Sequence, residues 1–535
     1  LNKIKKNLFL LFFIFCSFGN ASQEFEKIRA EFEAFIDKAR IEWEVPGVAV
    51  GVVKDGKIIF EKGFGKLSVN DSTPVDSHTV FHVASLTKVF LVHLIGQLVD
   101  EGLINLDDPV HKYWPEFKLS SEKMTSQFTI RDLISHRSGL PPFTGDTFVH
   151  MGMDQKEVLE KLALVPLKSP LRSKYAYQNQ LFGLASLIVE KVAKEKIEVL
   201  FEQRIFKPLG MEDSSTGVQA VSPPSFVEKV KSIFSNSQNG SFAWPHHHKN
   251  GGIQKMPFNA GAYLFNGSTG VNSSIHDMAL WTLCLLNQGK IKDDKFLIKP
   301  ETLGELRKPH IDVVTKSDRL QFPPERIRNI TYGIGHFSYE YGEGERYIKV
   351  IGHMGGISGV RGLLVLVPSE NLGLVILSNM GAMRESMLPE ALREKFLDLM
   401  FGFPSEDWSQ QKLGIMKEIQ QKNQEFRSDR KKENPRPKEK NSYYVGIYES
   451  PLYGLLEITE KGDYLEGKIR GRTFRLSHWN GSEFNFDSSE LSSFYGDAEE
   501  AFIEFGGPDP AKATLCAINL LFEGDGLFKR VESKG

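Results

Sequence analysis

The chain has 535 residues, 41% hydrophobic and 25% charged, the make-up of a soluble protein of about two to four domains rather than a disordered, collagenous or multi-spanning membrane chain. A formal net charge of −2 gives no electrostatic reason to expect nucleic acid as a partner. Its three cysteines are too few and too scattered for a disulfide framework, and with no CxxC pair and no HExxH helix the expectation is no metal site and no cofactor.

The chain starts "LNKIKKNLFLLFFIFCSFGNAS": lysines, an apolar stretch from Leu8 to Phe18, then Gly19 and Ala21. That layout predicts a secretory signal peptide over residues 1–21, export to the periplasm or medium, and no stable membrane span after processing, since the apolar stretch is too short to cross a bilayer. From Val45 to Lys66 two β-branched runs meet at Asp55-Gly56, a hairpin signal. "HVASLTK" (His82 to Lys88) then opens a run, "KVFLVHLIGQLVDEGLI", that reads as a helix buried all round, with Ser85 near its amino end.

Further on, "TIRDLISHRSGL" from Thr129 predicts a short helix stopped at Ser-Gly, and helical periodicity follows Asn179 and recurs over "SSIHDMALWTLCLLNQG". "WPHHHKNGG" from Trp244 reads as a loop in which three consecutive histidines cannot converge on a metal. Tyr332 to Asn379 changes to strand-like runs cut by glycine-rich turns, read as three antiparallel strands. Early hairpin and late strands, with helices between, predict an α+β domain whose sheet joins both ends of residues 22–405. Residues 406–441 read as a charged linker, helical at its start and disordered later, and 442–535, with short alternating strands, as a small all-β barrel or sandwich.

Three short patterns carry chemistry. Ser85 and Lys88 are one helical turn apart, so the lysine reaches the hydroxyl and, once deprotonated, can act as its base. The helix amino end favours developing negative charge. In "KYAYQNQLFGL" a loop tyrosine, Tyr177, can relay a proton, and Asn179 can hydrogen-bond a substrate amide. In "IGHMGGISG", His353 stands at what reads as a strand end, with Gly355 and Gly356 allowing a ligand close to the backbone. Taken singly, each has a plainer reading: a capped core helix with a snorkelling lysine, a packed aromatic beside a helix cap, and a turn histidine.

In this order S-x-x-K, Y-x-N and H-x-G resemble the serine β-lactamase and penicillin-binding-protein-like family, in its class C-like branch, from about Phe25 to Phe403. The C-terminal unit resembles the small lipocalin-like domain that follows such catalytic domains. The resemblance implies the β-lactamase/transpeptidase-like fold, an antiparallel sheet flanked by helices plus an all-helical region. It implies a serine hydrolase in which Ser85 is acylated and Lys88 and Tyr177 move the proton. Asn179, His353 and Gly355 bind substrate, and the backbone N–H groups of Ser85 and Gly356 form the oxyanion hole. The expected partner is a small-molecule or peptide substrate, cell-wall derived in one version; the oligomeric state is left open.

Where many penicillin-recognising members carry Lys then Thr or Ser in the third motif, this chain has His353 and Met354. The permanent cation and the hydroxyl donor for a substrate carboxylate are both lost. That shifts the expectation towards small esters or D-amino-acid peptides and amides, ahead of β-lactams or D-alanyl-D-alanine carboxypeptidase substrates. An inactive penicillin- or peptidoglycan-binding sensor is the alternative outside enzymes. A Ser-His-Asp α/β-hydrolase is disfavoured, since the chain has no G-x-S-x-G elbow.

Overall fold

Asp55 and Gly56 both take positive φ, 48° and 76°, the two-residue turn whose twist matches that of its flanking strands. It closes the hairpin of β1 (Gly47–Lys54) and β2 (Lys57–Gly65). The remaining strands of the main sheet come much later: β3 (Ile311–Asp312), β4 (Ile327–Tyr332), β5 (Phe337–Glu343), β6 (Arg346–Ile357), β7 (Val360–Val367) and β8 (Leu372–Ser378). The sheet runs β3-β4-β5-β6-β7-β8-β1-β2, antiparallel throughout, with Val50 opposite Ile376. Both ends of the domain therefore meet at the β8–β1 seam, as expected. The computed structural model describes residues 23–531 apart from 219–240, 250, 259, 293, 314–320, 382–384, 431–434, 492–499, 520 and 522; the predicted signal peptide lies outside the described residues.

Two compact units divide the chain: one holds described residues up to 105 with 189–258 and 266–416, the other 106–188, 259–265 and 417–531. In the first, helix α1 (Thr87–Asp100) is buried along nearly its whole length, Phe90 stacking on Trp281 with ring centres 4.6 Å apart. Trp281 belongs to α5 (Ile275–Leu286), which covers one face of the sheet. A Cβ at Gly51 would sit 3.2 Å from Ile275 and one at Gly373 2.3 Å from Thr282, so glycines there admit the helix. Helix α6 (Leu388–Phe401) lies on the opposite face, where Glu390 receives the Arg361 guanidinium of β7 at 2.9 Å, both side chains buried. A buried ion pair of this kind costs desolvation, which good geometry offsets.

The second unit combines short helices with a closed eight-stranded barrel running from Gly446–Ser450 to Leu527–Arg530. Inward residues alternate with outward ones, and the interior is packed with aromatic rings: Tyr444 lies 4.9 Å from Phe484 and Tyr448 5.8 Å from Phe505 between centres. Among the described residues no helix is long and apolar enough to cross a membrane.

Two expectations are corrected. Tyr332 to Asn379 holds four strands, β5 to β8, because Ser358-Gly359, with Gly359 at φ 86°, makes a tight turn inside what reads as one run. The triple-histidine stretch is a strand, His246–Lys249, paired with Gly252–Lys255; His246 is buried at its start, with its ring nitrogens against Asn379 O and Ser68 Oγ, and His248 is exposed. The start of the linker is a helix, Trp408–Arg430, anchored where Trp408, Lys412 and Met416 recur every fourth residue and are buried.

Candidate active site

Ser85 stands in a single 3-10 turn, Ala84–Leu86, that runs straight into α1. Ala84 has φ 49°, a left-handed conformation that costs a residue with a Cβ on the order of 1 kcal/mol or more. The turn is pinned on both sides, Val83 N–H donating to Val271 O at 3.1 Å and Leu86 N–H to Val83 O at 3.1 Å. One helical turn on, Lys88 is wholly buried, and its Nζ donates to Ser85 Oγ at 3.0 Å and to the Ser268 carbonyl at 3.2 Å. A nucleophilic hydroxyl and an amine, both buried, are thus held in hydrogen-bonding contact.

The third motif lies inside β6, which continues to Ile357, and not at a strand end as its glycines suggest. The β5 ladder stops at Phe337↔Gly352, so His353 to Ile357 pair with β7 alone among the described strands. Strand parity puts His353 and Gly355 on the face that meets α1, and Met354 and Gly356 on the α6 face. Gly355 is where the sheet meets the nucleophile turn: a Cβ there would lie 2.2 Å from Val83 O and 3.2 Å from Leu86 N. At Gly356 the nearest neighbour of an added Cβ is the Arg361 guanidinium, at 3.1 Å.

His353 is buried and neutral. Its Nδ1 lies 2.6 Å from the Met354 carbonyl, which only accepts, so Nδ1 carries the hydrogen; Nε2 then accepts from the Tyr332 hydroxyl at 3.2 Å. Burial, reinforced by the Lys88 charge, pushes its pKa down to about 3. Tyr332 was not singled out from sequence; its place in "TYGIG" carried no recognisable chemistry.

This neutrality is shared across the unit. Burial holds His82 and His246 down to about 4, His336 to about 3, and His93 well below its usual value. The unfolded chain takes up protons near 6.5 while these folded sites do not, so the stability that the five histidines contribute is complete above that pH and falls through the window from 6.5 towards 3 to 4. The loss is up to about 1.4 kcal/mol per pH unit for each histidine, against a total stability of about 5–15 kcal/mol. Acid unfolding is therefore expected with a midpoint between about pH 4 and 6, followed by far-UV circular dichroism; a fully native signal at about pH 4 would contradict it.

Tyr177 and Asn179 belong to the second unit, and Ser85, Lys88, His353, Gly355 and Gly356 to the first. Both are half-buried and alternate with buried Gln178 and Gln180 on the approach to helix α4 (Asn179–Ala193). His136 braces this approach, its ring centre 4.1 Å from that of Tyr177 and its Nδ1 accepting from Gln178 N–H at 3.0 Å. His136 itself follows a four-residue helix, Ile130–Leu133, closed by a Thr129/Asp132 capping box, and the buried Asp132 also accepts from Arg137 at 2.8 Å and Arg172 at 2.6 Å. The side-chain nitrogen of Asn179 donates to Asp146 at 2.7 Å, and that of Gln180 to the same carboxylate at 2.8 Å.

A family model described as Beta-lactamase matches residues 32–394, and one described as a domain of unknown function, DUF3471, matches residues 430–513. An unguisins hydrolase of Aspergillus violaceofuscus is 24% identical over 482 residues, 85% of this chain and 81% of that protein. The octameric penicillin-binding protein homologue from Pyrococcus abyssi superposes with a TM-score of 0.57 at 22% identity, covering 94% of this chain and 99% of that one. SurE, solved with D-Leu, gives a TM-score of 0.52 at 18% identity, covering 95% and 100%. With its family model spanning well over half the sequence and its α+β sheet and S-x-x-K turn in place, the chain belongs to the β-lactamase family of serine hydrolases.

Proposed function

We propose that the protein hydrolyses small esters or D-configured peptides and amides through an acyl-enzyme on Ser85. The observation that carries this reading is the 3.0 Å contact between Ser85 Oγ and the buried Lys88 Nζ. With Lys88 in its uncharged form, Ser85 Oγ attacks the substrate carbonyl carbon and gives up its proton to the amine. The oxyanion is met by the backbone N–H groups of Ser85 and Gly356; the leaving group departs with a proton, and water releases the acyl group. The roles of Tyr177 in proton relay and of Asn179 in holding the substrate amide rest on the family resemblance.

The substrate class follows from what the third motif offers. His353 is uncharged and Met354 has no hydroxyl, so these positions supply neither cation nor donor to a substrate carboxylate. Substrates lacking a carboxylate at that place fit better. The names of two similar proteins agree in kind: one is an unguisins hydrolase, the other was solved with D-Leu.

A panel of p-nitrophenyl butyrate, a D-alanyl peptide amide and nitrocefin tests the reading. Turnover of the ester and the amide is expected, with nitrocefin slower by about tenfold or more, the worth of one charge-assisted hydrogen bond. Met354→Thr should narrow that gap. Nitrocefin hydrolysed faster than both others would overturn the assignment of substrate class.

A further inference from the structure

The C-terminal barrel touches the helical part of its own unit at two turns. Antiparallel neighbours in chain order put the turn after the first strand and the turn after the third at one end of the barrel. The first turn, Pro451 to Tyr453, lays the buried Tyr453 ring edge-on against Phe148, with centres 5.6 Å apart, and its Pro451 carbonyl accepts from Lys161 Nζ. The second is the two-residue turn Arg470-Gly471, from which Arg470 donates through both Nη1 and Nη2 to the two carboxylate oxygens of Glu157, each at 2.7 Å. Arg470 has φ 49°, a position that favours Gly or Asn, so an arginine there is retained against backbone preference.

The elements gripped are α2 (Asp146–His150), carrying Phe148, and α3 (Gln155–Leu162), carrying Glu157 and Lys161 on one face four residues apart. Two residues before Phe148, on the same short helix, stands Asp146, which receives both Asn179 and Gln180. A carboxylate only accepts, so it sets which end of the Asn179 amide faces it. Gly145 is what allows the approach: it has φ 89°, and a Cβ there would lie 2.7 Å from Gln180 Cγ.

We propose that the barrel is a positioning clamp for Asn179: Arg470 and Tyr453 hold the 146–162 segment, and Asp146, as a positioning residue, fixes the orientation of the Asn179 amide that meets a substrate amide. The clamp rests on the reading of Asn179 given above, and its mechanical half does not. A neutral Asp146→Asn variant keeps the shape but lets the Asn179 amide turn over. Arg470→Glu breaks the clamp without touching the motif, and the exchange Arg470→Glu with Glu157→Arg restores the pair in reverse.

The experiment compares kcat/KM for a D-alanyl peptide amide with that for p-nitrophenyl acetate, whose acyl group has no amide, in the full-length chain. The amide-to-ester ratio is expected to fall about tenfold in Asp146→Asn and about three- to tenfold in Arg470→Glu, and to recover in the exchanged pair. Hydrogen exchange of the peptide spanning residues 175–184 is expected to quicken in Arg470→Glu and return to normal in the exchanged pair. Unchanged exchange in Arg470→Glu overturns the clamp whatever the enzyme's substrates are. Quickened exchange with an unaltered ratio in both variants overturns the role of Asp146 in orienting Asn179. A wild-type protein with no turnover of either compound defeats the reading of Ser85 instead, and the exchange measurement still decides the clamp.

Discussion

Ser85→Ala is expected to lower p-nitrophenyl butyrate hydrolysis by at least about 10⁴-fold, the scale seen when a nucleophile is removed from a preorganised acyl-transfer site. The argument is local. Lys88 Nζ, in a buried position, donates to Ser85 Oγ at 3.0 Å, so the hydroxyl that the amine activates is lost with the serine. Ser85 is small and Ala84, its neighbour, carries the left-handed φ, so the alanine variant keeps the backbone of the turn. Intact-protein mass spectrometry after a fluorophosphonate should show one covalent adduct on the wild type and none on the variant. A variant that hydrolyses at the wild-type rate, or still takes the label, would remove Ser85 from its role.

Gly355→Ala carries the second large effect, although the residue contributes no functional group. The new Cβ would lie 2.2 Å from the Val83 carbonyl oxygen, far inside any real contact, and the atom it meets is backbone held by the bonds on either side of the nucleophile turn. Either the strand or the turn must move. Overpacking of this sort costs about 1–3 kcal/mol of stability. A shift of about 1 Å between Ser85 and the Gly356 N–H would cost on the order of 10²-fold in kcat/KM. Gly356→Ala is the control, since its Cβ first meets the Arg361 guanidinium, 3.1 Å away, at the end of a long side chain. Melting temperatures and kcat/KM measured on the pair should separate them, with Gly355→Ala the worse in both; equal behaviour would show that the turn is not seated on Gly355.

How much of this was legible beforehand depends on how local each signal is. Ser85 and Lys88 lie within one turn of one helix, so spacing alone places them in contact. The Asp55-Gly56 hairpin and the barrel strands were equally readable, one from turn chemistry and the other from alternation of inward and outward residues. Contacts between distant segments were not: Ser268, which holds Lys88, is 180 positions away, and Tyr332, which tethers His353, sits on a different strand with nothing in its surroundings to mark it. Asp146 is 33 positions from Asn179, in a stretch that carries no motif. Glycine misled twice, for opposite reasons. At 355 and 356 it permits close approach inside a continuing strand, whereas at 359 it makes a real turn, and composition alone does not tell the two uses apart.

The buried histidines of the first unit change how the enzyme's response to acid is to be understood. A rate that falls below about pH 6 is ordinarily taken as the protonation of a general base. Here His353, the motif histidine, keeps its uncharged form down to about 3 for as long as the chain stays folded. An acidic limb that records the disappearance of native molecules would have a steepness set by several protons taken up together. Such a limb is recognised by its cooperativity and by its coincidence with the loss of circular dichroism. An acidic limb that parts from the circular dichroism signal reports instead on the chemistry at Ser85.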